Sequence, residues 1–121
     1  MNEIKVSFFK GKFESKPSGK EIALLSTIIA DKVESINRDN IEPFTRLVGK
    51  YGCTFCPATF KNGNKNRESF DQLQLFALDF DNNDPDNRVS FNEVKDRADK
   101  HDLPILFAYD TFNSVGNTRA M

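Results

Sequence analysis

The chain reads as an α/β protein, a helix-flanked sheet forming one domain over residues 1–121. Three observations carry that expectation. Two Ser-x-x-Glu capping boxes, Ser18 with Glu21 and Ser90 with Glu93, mark helix starts. Apolar runs of strand length recur near residues 4–9, 53–60, 73–80 and 104–109. The two kinds of element alternate along the chain, as in proteins whose helices cover a sheet.

Ile4-Lys5-Val6-Ser7-Phe8-Phe9 is the first strand, followed by a polar stretch through Gly19. After the Ser18 cap, Ile22, Leu25, Ile29, Val33 and Ile36 fall at helical spacing, which predicts a helix over 19–36. Ile41, Phe44, Leu47, Val48 and Tyr51 predict a shorter helix over 41–51. Pro43 is tolerated in its first turn, and Gly52 is its stop. The segment 53–60 reads as extended, and Lys61-Asn62-Gly63-Asn64-Lys65-Asn66-Arg67 as a polar loop. Leu73 to Phe80 alternates like a strand. The Ser90 cap, with Val89 and Val94 placed as a hydrophobic staple, starts a helix that runs to about His101. Leu103 to Tyr109 then returns as a strand, and a right-handed crossover follows if it runs parallel to 73–80.

At 38% hydrophobic and 29% charged, the composition is that of a soluble globular domain. No run approaches the roughly 18 apolar residues of a spanning helix, and the opening lacks the apolar region of a signal peptide, so a cytosolic setting is expected. The near-zero net charge divides unevenly. Residues 1–67 hold 12 basic and 7 acidic groups, and residues 68–121 hold 5 and 11. A basic half facing a polyanion and an acidic half holding metal fit this division, as does an ordinary mixed surface.

The chemistry is concentrated where the 73–80 run closes on Asp79-Phe80-Asp81. On a strand, side chains at i and i+2 share a face, with Cα atoms roughly 6–7 Å apart. Two carboxylates at the end of a buried strand repel one another and resist desolvation. A hard divalent cation, Mg²⁺ or Mn²⁺, relieves both penalties. Cys53 and Cys56 form one Cys-x-x-Cys, but no second pair or nearby histidine completes a zinc site, and the pair reads as buried, reduced thiols. His101 reads as a helix C-terminal charge.

A calcium loop competes for the acidic stretch. Counting from Asn82, Asp84 stands at position 3, Asp86 at 5, Ser90 at 9 and Glu93 at 12 of an EF-hand-like segment over 82–93. Against it, position 1 is Asn, position 6 is Asn87 rather than Gly, Pro85 interrupts the loop, and the preceding pattern is β-like.

The stretch Gln74 to Asn82, followed by a helix and then Leu103 to Ser114 with its Tyr109-Asp110-Thr111-Phe112-Asn113-Ser114, resembles the N-terminal part of the phage and plasmid branch of archaeo-eukaryotic primase-polymerases. The resemblance covers most of residues 50–119. It implies a partial RRM-like catalytic unit in which Asp79 and Asp81 are catalytic metal ligands for Mg²⁺ or Mn²⁺, and a role in DNA replication with nucleic acid or nucleotide as partner. The family's triphosphate-gripping histidine and third carboxylate lie beyond the residues matched here, so the chain is expected to be a truncated unit that does not polymerise alone. Asp110 would stand in for that carboxylate only if its strand neighbours the first.

The loop cations Lys61, Lys65 and Arg67 are the candidate phosphate contacts. An alternative reading is a phage-encoded protein that reuses the half-fold to bind and inhibit a host defence factor. An open sheet edge would also permit self-association.

Overall fold

Seven residues near the N-terminus, Glu3–Phe9, form β1, the middle strand of a three-stranded antiparallel sheet ordered β2-β1-β3. The structure is a computed structural model and describes residues 2–80, 86 and 88–110. Ile4, Val6 and Phe8 alternate along β1 and are all buried. Ser7, on the opposite face, is also enclosed, and its hydroxyl donates to the Ala58 carbonyl at 2.8 Å. That bond satisfies a buried polar group and ties the sheet to the next piece of chain.

Helix α1 (Gly19–Ile28) carries the full expected capping box. Glu21 N–H donates to Ser18 Oγ at 3.3 Å, and Ser18 N–H donates to Glu21 Oε1 at 3.0 Å. The helix does not run to 36. A 3₁₀ turn at Ile29–Asp31 ends it, and Val33–Asn37 is β2, paired with β1 from Glu3↔Asn37 to Ser7↔Val33. Val33 and Ile36 share a face only in a helix; in β2 they fall on opposite faces, Ile36 buried and Val33 exposed, and β-branched residues beside an open strand edge take the ladder. Helix α2 (Glu42–Gly49) forms as expected, with Pro43 in its first turn and Gly52 beyond it at φ 71.

The extended segment 53–60 is two strands. β3 (Thr54–Cys56) pairs with β1, whereas β4 (Ala58–Phe60) pairs with β5 (Phe70–Leu73) in a separate two-stranded antiparallel sheet. Pro57 separates them, and because it has no N–H the ladder changes partner there.

The expected strand over 73–80 ends at Leu73, and residues 74–80 have no regular structure. The physical reason is the lost partner: β4 begins only at Ala58, opposite Leu73, and Pro57 before it offers no donor to extend the pairing. Gln74 partly compensates, its Oε1 accepting from Lys5 N–H at 2.8 Å where a neighbouring strand would present a carbonyl. Asp79 is therefore exposed on irregular backbone rather than seated at the end of a buried strand.

Helix α3 (Phe91–Lys100) begins at the expected Ser90 cap, whose Oγ accepts from Glu93 N–H at 3.1 Å, and ends at His101. The expected strand over 104–109 is also absent. Residues 103–108 have no regular structure, and only Tyr109 makes an isolated bridge. Pro104 removes one ladder donor, and the segment is held by side chains instead: Leu106, Phe107 and Tyr109 pack against the core. All strand pairings among the described residues are antiparallel, so the anticipated parallel crossover is not formed. The fold is α/β in the general sense of helices packed with small sheets. No helix among the described residues is long and apolar enough to cross a membrane.

The core centres on Phe44. Its ring lies 5.4 Å from Phe8, 5.5 Å from Phe55 and 5.5 Å from Phe107, joining α2 to β1, β3 and the C-terminal segment. Phe44→Ala should lower unfolding stability by about 3–5 kcal/mol. Arg46→Ala on the same helix, which loses only an exposed ion pair with Glu42, should cost under about 1 kcal/mol. Urea unfolding of the two variants checks the contrast.

Candidate nucleic-acid interface

The β4–β5 hairpin presents the polar loop as its tip. Phe60 and Phe70 face one another across the ladder, with a register shift between Thr59 and Phe60. Lys61 N–H donates to the Ser69 carbonyl at 2.7 Å, and Ser69 N–H to Asn66 Oδ1 at 2.8 Å, closing the loop on itself. Asn62 and Gly63 both take left-handed backbone, at φ 58 and 66. Asn tolerates that conformation, and glycine adopts it at 63 without strain. The Asp31 carboxylate lies against Gly63, so the tip sits directly on the turn that ends α1.

This arrangement sorts the three loop cations. Lys65 and Arg67 line one depression of about 450 Å³ together with Asn66 and the rings of Phe60 and Phe70. Lys61 lines neither this depression nor its neighbour, and stands at the base of the loop. Lys65 and Asn66 also border a second hollow of about 460 Å³, shared with Ser26, Thr27, Gly63 and Asn64. Among the described residues none of the three cations has an ion-pair partner; the pairs formed are Lys10 with Glu34, Arg46 with Glu42 and Arg97 with Glu93.

The two hollows differ electrostatically. The second is flanked by the C-terminal end of α1 and by Asp31, both of which repel an anion. Neither is lined by an acidic residue; the wall of the first is almost wholly apolar, made by the Phe60 and Phe70 rings with the carbon portions of Lys65, Asn66 and Arg67, whereas the second is the more polar. The first therefore offers an apolar face beside two exposed cations. Phe60 and Phe70 were not among the residues singled out from sequence. Their signal was their placement immediately before and shortly after the loop, which becomes a cross-strand pair once the loop is recognised as a hairpin turn.

The sequence-derived metal ligands are not brought into a described cage. Asp79 is exposed, and Asp81 lies outside the described residues. No three His, Cys, Asp or Glu side chains converge to hold a metal ion among the described residues. Of the EF-hand-like segment, Asn82, Asp84, Pro85 and Asn87 also lie outside them. Asp86 is exposed, Glu93 belongs to the cap of α3, and the chain before the segment is strand followed by irregular backbone rather than an entering helix.

Cys53 and Cys56 are free thiols, Cys56 ending β3 and Cys53 immediately before it. Cys53 is buried, with its S–H directed at the Lys10 carbonyl at 3.6 Å, whereas Cys56 is only half-buried. Nearby, Lys12 Nζ lies 4.5 Å and Lys50 Nζ 5.6 Å from the centre of the Tyr51 ring, a cation–π cluster unrecognised in the sequence.

No family model, curated protein or solved structure matches the chain.

Burial pushes the Cys53 thiol above its ordinary value, with Lys12 partly opposing the shift. The folded state then retains a proton that the unfolded chain releases. This contribution to stability is complete below the ordinary thiol range and is lost as pH rises through the raised folded value. In reducing buffer, the stability of the parent should therefore fall more steeply than that of Cys53→Ala above about pH 8.5. Parallel unfolding curves across pH measure the difference; a pH-independent offset would remove the thiol as its source.

Proposed function

We propose that this chain is a primase-polymerase-like replication module of the phage and plasmid type, which engages nucleic acid through the tip of its β4–β5 hairpin. The observation that carries the reading is the convergence of Lys65 and Arg67, without ion-pair partners, on one depression. Exposed cations of this kind bind phosphates by releasing counterions, with little sequence preference. Lys61, at the loop base, adds to the local potential. The resemblance of 74–82 and 103–114 to the primase-polymerase pattern supplies the functional class.

The same reading assigns Asp79 and Asp81 to a divalent cation, Mg²⁺ or Mn²⁺. When bound, such an ion supplies charge neutralisation for phosphoryl transfer. The described donor set is incomplete, because Asp79 stands exposed and no group of three ligating side chains accompanies it. Binding is therefore weak.

A second reading, a binder of a host protein, is favoured by one observation. Phe76 and Leu78 are 86% and 76% exposed on the irregular segment after β5. Large apolar side chains in that state favour cover by a protein partner. Capture of one host protein, insensitive to salt and accompanied by no DNA or RNA, would favour this reading over the first.

Purified residues 1–121 should bind single-stranded oligonucleotide at low salt and show no template-dependent nucleotide incorporation. In the Lys65→Ala/Arg67→Ala double variant the slope of log affinity against log salt should fall by roughly 1.4, about 0.7 for each phosphate contact removed. Anisotropy titrations at several salt concentrations give the slope, and an unchanged slope would reject the loop. Calorimetric titration with Mn²⁺ should show weak binding that is lost in Asp79→Ala/Asp81→Ala. Equal heats from both proteins would reject the pair and shift weight to Asp84, Asp86 and Glu93.

A further inference from the structure

We infer that the Phe60–Phe70 pair is a stacking platform for unpaired bases, so that the hairpin selects single-stranded nucleic acid over duplex. The inference rests on the nucleic-acid reading of the same loop and names its substrate class.

Phe70 is 49% exposed at a strand position, and Phe60, its cross-strand partner, is half-buried. Seven ring pairs occur among the described residues, and neither Phe60 nor Phe70 belongs to any of them. The two rings instead line the depression that also holds Lys65, Asn66 and Arg67. An exposed ring and a half-buried one beside unpaired cations match the two demands of a single strand: apolar faces for its bases and positive charge for its backbone. A duplex presents only the second, since its bases are already stacked on one another. An apolar peptide would fit the rings and leave the cations uncompensated.

The neighbouring hollow supplies direction. Lys65 and Asn66 border both depressions, and the far side of the second is made unfavourable to phosphate by Asp31 and the C-terminal end of α1. The strand backbone is held at Lys65 and Arg67, and its bases turn toward Phe70. Asn66 keeps its Oδ1 on Ser69 N–H, which leaves its amide NH₂ as a further donor of the loop.

The test compares, on the full chain, an oligothymidylate of about 12 nucleotides with an abasic strand of the same length and charge, and with a duplex. The abasic strand should bind about 5- to 150-fold more weakly than the oligothymidylate, the range given by stacking one base on an aromatic side chain. Phe70→Leu preserves an apolar strand residue. It should weaken oligothymidylate binding by a similar factor and leave the abasic strand unchanged. Because the chain has no tryptophan, Phe70→Trp introduces a single reporter. Its emission should be quenched by oligothymidylate and not by the abasic strand or the duplex.

Equal affinity of the parent for the two single strands would overturn the platform. So would retention of the base preference in Phe70→Leu. The loop reading fails separately, if Lys65→Ala/Arg67→Ala binds the abasic strand as well as the parent does. Absence of binding to any of the three ligands would overturn both.

Discussion

The rest of the structure depends on the burial of β1 from both sides. Val6 and Ser7 are adjacent on the strand, point to opposite faces and are both fully enclosed. One face is closed by α2 through Phe44 and Val48. Opposite it, the Ser7 hydroxyl takes the Ala58 carbonyl, and Ala58 opens β4. A buried hydroxyl is costly to leave unbonded, so this single contact fixes where the second sheet begins relative to the first. The strand also changes neighbours along its length: β2 covers Glu3 to Ser7 on one edge, and β3 covers only Ser7 to Phe9 on the other.

That partial cover shapes the hairpin. With β3 confined to three residues, Pro57 ends its ladder and β4 leaves to pair with β5. The loop between them is then carried to the turn after α1, where Gly63 packs on Asp31. The contact separates charges on the tip. An acidic group and a helix C-terminus lie on one side and Arg67 with the two phenylalanines on the other, with Lys65 bordering both hollows. A flexible basic loop would attract phosphate from any direction. A loop seated in this way offers one favourable approach, which gives the hairpin an orientation as well as a charge.

Local chemistry made much of the helical framework legible. Ser18 and Ser90 cap α1 and α3, and Pro43 and Gly52 bound α2 as their backbone preferences require. The polar loop was recognisable from its Asn, Gly and Lys content, and its cations were identifiable as candidate phosphate contacts. The Phe60–Phe70 pairing was not, because a cross-strand contact depends on register, and register depends on the turn and on which face is buried. The position of Asp79 on irregular backbone differs from the expected strand end for a related reason. Alternation over 73–80 reports a preference for extended backbone, but a strand exists only where another strand satisfies its hydrogen bonds.

Helix starts, the stop after α2, the extended character of β1 and the unequal distribution of charge were determined by the sequence alone, because each arises from interactions within a few residues. Tertiary structure decided the elements that depend on a partner. Val33–Asn37 became a strand because the edge of β1 was open to it. The segment 53–60 divided because Pro57 could not serve either ladder, and 103–108 stayed irregular while its side chains docked on the aromatic core. The physical distinction is one of range. A cap satisfies its backbone groups from its own neighbours in sequence, whereas a strand draws on donors and acceptors tens of residues away, and only the assembled fold determines whether they are there.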